Sequence, residues 1–297
     1  MTSPAHTTPV GMIGLGLIGT ALGTRLLAAG HRVIGFDIDP ARGLDPGAGT
    51  ATRAASIVEV GHACETVVVA VYDTAQVIEV IEGAGGLVEA TTDRRIAAIC
   101  VSTCEPDAIA TLARRAAGAG VDVIEFPLSG NSLQVRLGEA LGFVAGDTGA
   151  IARAGDVMDV LCPQHFAVGH PGAAARTKLA INLVLQLNRA ALAEGIVFAA
   201  ELGLDLAAFL KVLAASPAHS DVMEAKAEKM LQGDYTPQAR IAQTLKDAEL
   251  ILTEARRHGQ RLPLMEVNAA ILAASITLGG PDRDSSAVIE AIRNQHS

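Results

Sequence analysis

Hydrophobic residues in the first half of the chain come in short, unbroken runs. They are PVGMIGLG, RVIGFDID, TVVVAVY, RIAAICVS and VDVIEFP, and LGFVAG and HFAVG follow near Leu141 and His165. Stretches with helical spacing separate the runs. This is the rhythm of βαβ units, a parallel sheet with helices on both faces. Runs that are continuous rather than alternating suit strands buried on both sides. After His170 and Pro171 the pattern changes. From Ala173 to about Leu202 there is no proline and a single glycine, Gly195. At about 1.5 Å per residue this predicts one helix on the order of 45 Å long. Further helices are predicted around Leu206–Ala215, Asp221–Leu231, Gln238–His258, Pro263–Leu278 and Ser285–Arg293, punctuated by Gly and Pro as in HGQRLP and LGGPD. The fold class expected is an α/β Rossmann-type N-terminal domain with an all-α C-terminal domain, joined by a long helix. The expected division is 1–170 and 171–297, with the boundary near Gly169–Gly172.

Composition narrows the function. The chain has 297 residues, half of them hydrophobic but only 3% aromatic, so Ala, Val, Leu and Ile must fill a large core. Its net charge of −9 comes without a basic run, which argues against a nucleic-acid or anionic-membrane partner. The long helix around Leu179 is apolar, but Asn182, Gln186, Asn188, Arg189 and Glu194 interrupt it, against a membrane span. The four cysteines form no CxxC pair, and Cys162 and His165 have no second ligand pair, so no metal is expected and the thiols read as small hydrophobes. With no signal-peptide pattern in MTSPAHTTPV, the expected location is cytoplasmic.

GLGLIG, Gly14-Leu15-Gly16-Leu17-Ile18-Gly19, matches GxGxxG between the first apolar run and a helical run. Gly14 permits the tight turn, Gly16 lets backbone approach a pyrophosphate, and Gly19 lets helix and strand pack closely. A second strand, Arg32–Phe36, ends in Asp37, eighteen residues past Gly19. A carboxylate there can accept from ribose hydroxyls, with Ile38 beside it. Asp37-Ile38-Asp39 supplies two acids, which favours NAD over NADP; Arg42, just downstream, is the one residue that could fold back to meet a 2′-phosphate.

In ARTKLAINL, Lys178 and Asn182 are four apart and share a helix face, which Gln186 extends. Leu179, Ile181, Leu183, Val184, Leu185 and Leu187 surround that stripe, so the helix should be largely buried. Either the stripe faces solvent, or it brings a lysine into an apolar site. A buried lysine costs several kcal/mol unless paired or neutral. In a dry site beside a cofactor its pKa can fall from about 10.4 towards neutrality, as a general acid or base requires.

Together these segments resemble the β-hydroxyacid dehydrogenase family, which includes 3-hydroxyisobutyrate dehydrogenase and tartronate semialdehyde reductase and, more distantly, 6-phosphogluconate dehydrogenase. The resemblance runs from Val10 to Arg293. GMIGLGLIG is similar to the family's opening signature, EFPLSGN to its substrate motif D-A-P-V-S-G-G, and GHPGAAARTKLAIN to its G-x-G-x-x-x-K-x-x-N-N motif. TLKDAEL resembles its K-D helix, and LGFVAGD and GGPDRDSSAVIE also fit. The resemblance implies that Lys178 is the acid–base and that Asn182 orients it. It implies that Ser129, Gly130 and Asn131 cradle a substrate carboxylate. Val71, Tyr72 and Thr103 would border the nicotinamide ribose, and Lys246 would lie near the cofactor with Asp247 as its companion.

The implied activity is an NAD(P)-dependent oxidoreductase interconverting a 3-hydroxy acid and its semialdehyde, with hydride exchanged at nicotinamide C4. The implied assembly is a homodimer or homotetramer. The chain departs from the family at four places, one of them two residues wide: Asn131 and Ala174 replace glycines, Ile181 replaces the first Asn of the pair, and Tyr72-Asp73 stands where Leu or Pro is usual. All four bear on substrate choice. Arg136, just past the cradle, is either a carboxylate ligand or a solvated charge. Two other readings stay open: an imine or other carbonyl reductase of this fold, and a dinucleotide-binding module without catalysis.

Overall fold

The structure is a computed structural model that describes residues 8–45, 49–91 and 94–294. It divides into two compact units, 1–178 and 179–297. In chain order the first unit runs β1 (Val10–Ile13), α1 (Leu17–Ala28), β2 (Val33–Phe36), β3 (Ala51–Arg53), α2 (Ile57–Ala63), β4 (Thr66–Val69), α3 (Thr74–Glu82), β5 (Ile96–Cys100), α4 (Pro106–Gly118), β6 (Val121–Glu125), β7 (Leu128–Ser129), α5 (Ser132–Leu137), β8 (Leu141–Ala145), α6 (Thr148–Leu161) and β9 (Gln164–Gly169). A long helix, α7 (Ala173–Glu201), follows.

The strands form one sheet in the order β3-β2-β1-β4-β5-β6-β8-β7, with β9 on β8. Strands β3 to β6 of that order pair in parallel, and β8 turns antiparallel to β6 and β7. The apolar runs are unbroken because each strand feeds two cores. In β5, Ala97 and Ile99 face one core with Leu22 and Leu26 of α1 and Met158 of α6. Ile96, Ala98 and Cys100 face the other, with Val60 of α2, Val77 of α3 and Leu112 of α4. The chain reverses its winding between β1 and β4, and ligands of such sheets bind at the carboxyl ends flanking that point. The strands β3 and β7 were not foreseen. Three and two residues long, they carry no apolar run to announce them.

The second unit contains the rest of α7 with α8 (Leu206–Ala214), α9 (Asp221–Gln232), α10 (Ile241–Arg257), α11 (Pro263–Gly279) and α12 (Val288–Arg293). Its core gathers Leu192, Ile196, Met230, Ile251, Leu272 and Ile289. By length and composition alone α7 could cross a membrane, and 39% of its most apolar window is buried. Two predicted helices start later than expected. Helix α10 begins at Ile241 rather than Gln238 because the N–H groups of Gln238 and Ala239 donate to Asp284 Oδ2, at 2.9 and 3.1 Å. Residues Ser285–Ala287 form a 3₁₀ turn before α12, with the Ser286 N–H also given to Asp284.

Candidate active site

The glycine loop sits at the carboxyl end of β1. Gly14 has φ +90°, and a Cβ there would lie 2.4 Å from the Ala70 carbonyl oxygen after β4. A Cβ on Gly19 would meet the Gly14 oxygen at 1.9 Å. These two glycines are therefore required by the protein's own packing. Gly16 is different: a Cβ there would meet only Arg42 Nη1, at 4.0 Å. The protein leaves that space open, as a loop that admits a pyrophosphate must. The loop opens α1 through Leu17, Ile18 and Gly19, and no side chain caps the helix, so its first N–H groups remain for an anion.

Asp37 directly follows β2 and is buried. Its Oδ2 accepts from the Leu15 N–H at 2.7 Å and its Oδ1 from the Asp39 N–H at 2.8 Å, so the carboxylate braces the glycine loop. Arg42 does fold back: its Nη1 lies 3.6 Å from Asp37 Oδ2 and its Nε 3.3 Å from Asp39 Oδ2. Arg53 of β3 donates to the carbonyls of Asp37 and Asp39, at 2.9 and 3.3 Å, and to that of Arg42. Sequence reasoning passed over Arg53, because nothing marked β3 as a neighbour of this turn. Ile38 stands 85% exposed.

The loops after β4 and β5 are tied together. Ser102 Oγ accepts from the Val71 N–H at 3.1 Å and donates to the Val71 carbonyl at 2.7 Å, and the Glu105 N–H donates to Thr74 Oγ1 at 2.9 Å. The loops that carry Val71, Tyr72 and Thr103 are thus joined, with Tyr72 exposed and Thr103 buried. Ser102 is the tie, and it was missed.

Ser129 ends β7 opposite Leu141, and Gly130, at φ +153°, packs where a Cβ would lie 3.0 Å from Ala140 Cβ. Asn131 caps α5. Its Oδ1 accepts from the Leu133 and Gln134 N–H groups, both at 3.0 Å, while its own N–H donates to Gln134 Oε1 at 2.9 Å. Its Oδ1 and its N–H are therefore engaged by its own helix, and its Nδ2 is not part of that cap. The N-x-x-Q spacing of a capping box could have announced this. Arg136 lies on α5 in a surface pocket of about 330 Å³ lined by Thr24, Arg25, Ala28, Ala29 and Val160. Those neighbours come from the far half of α1 and the end of α6, so Arg136 is a surface charge rather than part of the cradle.

Just before the cradle, Glu125 ends β6, 3% exposed. Its carboxylate accepts from the N–H of Gly172 and, at 2.9 Å, from that of Ala175, the start of α7. Burial pushes its pKa up, and those two N–H groups and the field of Arg176 only partly offset the shift.

On α7 the polar stripe is buried. Lys178 is 6% exposed, and Asn182, Gln186 and Arg189 are buried with it. In the second unit Asn182 Nδ2 donates to Asp247 Oδ2 at 2.9 Å, and Lys246 Nζ lies 3.0 Å from Asp247 Oδ1. Gln186 donates to the Thr244 carbonyl at 3.2 Å and accepts from Asn268 at 3.1 Å, and Arg189 Nη1 donates to Ser285 Oγ at 3.2 Å. The solvent-facing alternative for the stripe is excluded. Among the four departures, Ala174 is fully buried in the first turn of α7 and Ile181 is half-buried beside Asn182. The four cysteines are buried free thiols, and among the described residues no three His, Cys, Asp or Glu side chains form a metal-holding group.

A sheet wound 3-2-1-4-5-6, an open glycine loop and a braced β2 carboxylate define a dinucleotide-binding protein. Comparison with known proteins agrees. Residues 9–169 match the NAD binding domain of 6-phosphogluconate dehydrogenase, and residues 172–292 match the NAD-binding domain of NADP-dependent 3-hydroxyisobutyrate dehydrogenase. L-threonate dehydrogenase of Cupriavidus necator is 30% identical, the match covering 95% of each chain. The 2-hydroxy-3-oxopropionate reductase of Escherichia coli is 28% identical over 95% of this chain and 96% of its own. The crystal structure of 3-hydroxyisobutyrate dehydrogenase from Salmonella typhimurium superposes with a TM-score of 0.87 at 25% identity, covering 95% of this chain and 99% of that one. The chain belongs to the 3-hydroxyisobutyrate dehydrogenase family of β-hydroxyacid dehydrogenases, and it is an NAD(P)-binding oxidoreductase.

Proposed function

We propose that the protein interconverts a 3-hydroxy acid and its semialdehyde, with Lys178 as general acid–base. The observation that carries this is the buried lysine one turn before an asparagine of fixed orientation. Asp247 can only accept, so Asn182 must present its NH₂ to it, and Asn182 Oδ1 is left as an acceptor for an ammonium or a hydroxyl. The nicotinamide, when bound, supplies the two-electron acceptor or donor. Lys178 takes the hydroxyl proton in oxidation and returns it in reduction, and Ser129 and Gly130 hold the substrate carboxylate. Lys178→Ala should keep cofactor binding and lose at least about two to four orders of magnitude in turnover on the best acid of a 3-hydroxy acid panel. Near-normal turnover would remove the lysine from the mechanism. Methyl esters of that acid should react poorly, and equal rates would dismiss the carboxylate cradle.

We further propose that NAD is preferred over NADP, by about tenfold or more. Asp37 and Asp39 already occupy Arg42, and an unpaired phosphate–carboxylate contact costs over roughly 1.4 kcal/mol. Equal kcat/KM for the two cofactors would mean that Arg42 or Arg53 leaves its present partners for the 2′-phosphate. The proposed assembly is a homodimer or homotetramer. It is supported by Val184 and Phe198, exposed on α7, and by Leu202, exposed just past its end, and sedimentation of the purified protein as a monomer would reject it.

A further inference from the structure

We infer that Glu125 is a positioning residue, which sets where Lys178 stands relative to the substrate cradle by holding the first turn of α7. This rests on the lysine reading above. The opening N–H groups of a helix have no partner within it and need one from elsewhere. Helices α2, α3, α5 and α6 are each capped by the residue just before them: Ser56, Asp73, Asn131 and Asp147. Helix α7 is not capped in this way. Gly172 has φ +95°, and a Cβ there would lie 3.1 Å from the Pro106 carbonyl oxygen, so that position cannot hold a capping side chain. The cap comes instead from Glu125, 47 residues before Gly172 and 50 before Ala175.

The origin of that cap matters more than its distance. Glu125 begins the segment Glu125-Phe126-Pro127-Leu128-Ser129, which runs straight into the cradle, and its first four residues are buried. Phe126 is fully buried and meets His165 edge-on, with ring centroids 5.6 Å apart, so the segment has little freedom to shift. Lys178 follows Ala175 by three residues, about one helical turn. One carboxylate thus fixes the lysine's helix to the segment that leads into Ser129 and Gly130. Both ends of the proposed reaction geometry are referenced to a single buried group. The carboxylate is held in place at the cost of a raised pKa, with no cation bonded to it among the described residues.

The test compares Glu125→Gln and Glu125→Asp with wild type and Lys178→Ala. Glutamine keeps the volume but offers one acceptor oxygen to two N–H groups. Aspartate is shorter but keeps both oxygens. Folded sites are counted by NADH fluorescence titration, and turnover is expressed per site. The expected result is a kcat lower by about tenfold or more in Glu125→Gln, since a misplacement of about 1 Å can cost 10²-fold. The NADH Kd should stay within about twofold, KM should move less than kcat, and Glu125→Asp should recover part of the loss. Wild-type kcat per site in Glu125→Gln, or equal losses in both variants, overturns the inference. Should Glu125→Gln not fold, Glu125→Asp carries the test: it should lose kcat without losing NADH affinity, and unchanged kcat overturns the proposal. If Lys178→Ala turns over normally, the lysine reading itself has failed. If Lys178→Ala is inactive while Glu125→Gln is normal, only the positioning role has failed.

Discussion

Glu125 in the first unit and Asp284 in the second are both buried carboxylates that accept from backbone N–H groups, yet their acidities move in opposite directions. Burial pushes both up. Glu125 stays up, because two N–H dipoles do not repay the loss of water. Asp284 is brought below its ordinary value by the Lys226 ammonium, 2.7 Å away, together with the Ser286 and Gln238 N–H groups. Lys226 is itself pushed down by burial, which the ion pair only partly restores. Two N–H dipoles and the distant field of Arg176 therefore leave a buried carboxylate above its ordinary pKa, whereas a bonded buried cation brings one below it. The first unit largely builds its site by omitting side chains, at Gly14, Gly16, Gly19 and Gly130. The second unit instead ties its own buried polar residues together by charge pairing, as at Lys226 and Asp284.

The sharpest way to break this contrast is to remove the cation. Lys226→Met should leave Asp284 buried without its ammonium and cost about 3–5 kcal/mol in equilibrium unfolding. Replacing both partners with apolar residues should recover most of that loss, and no recovery would mean that the N–H network, rather than the pair, holds the turn. In the first unit the sensitive change is an added atom. Gly19→Ala should cost about 3 kcal/mol or more, since its Cβ would press on the Gly14 oxygen. Gly16→Ala should move stability by less than about 1 kcal/mol yet weaken NADH binding about tenfold or more, because it fills space that only a ligand needs. Equal stability losses in the two variants would deny that Gly16 is kept for the cofactor.

A smaller effect should appear with pH. A raised native pKa gives stability that is full below the unfolded value, about 4.3 for Glu, and is lost as pH rises through the native value. A lowered one gives stability present above about 3.9 for Asp and lost as pH falls through the native value. From neutral pH down to about pH 4.3, wild type should therefore gain stability relative to Glu125→Gln. Below about pH 3.9 it should lose stability relative to Asp284→Asn. Opposite slopes in denaturant titrations would reverse the assignment of the two carboxylates. The smallest change expected is at Arg189, buried on α7 with its pKa pushed down to about 10 by burial and its Nη2 without an acceptor among the described residues. Arg189→Met should be neutral within about 1 kcal/mol, or stabilising. A loss above about 3 kcal/mol would show that Asp247 or Asp284 depends on the Arg189 charge.

The sequence by itself determined the features that local pattern carries. Unbroken apolar runs read as strands because both sheet faces are buried, and GxGxxG with Asp37 read as a dinucleotide loop because turn, approach and packing each demand glycine. The stripe Lys178-Asn182-Gln186 read as one helix face from its four-residue spacing, and the family motifs lay in order around it. Only the tertiary structure decided which side of that face mattered and what held it. Asn182 finds Asp247 sixty-five residues on, Lys226 finds Asp284 fifty-eight residues on, and α7 takes its cap from Glu125. Such pairs have no period and no fixed offset. They form because burial leaves charges and N–H groups without water, and the nearest partner is set by how the chain packs rather than by its order.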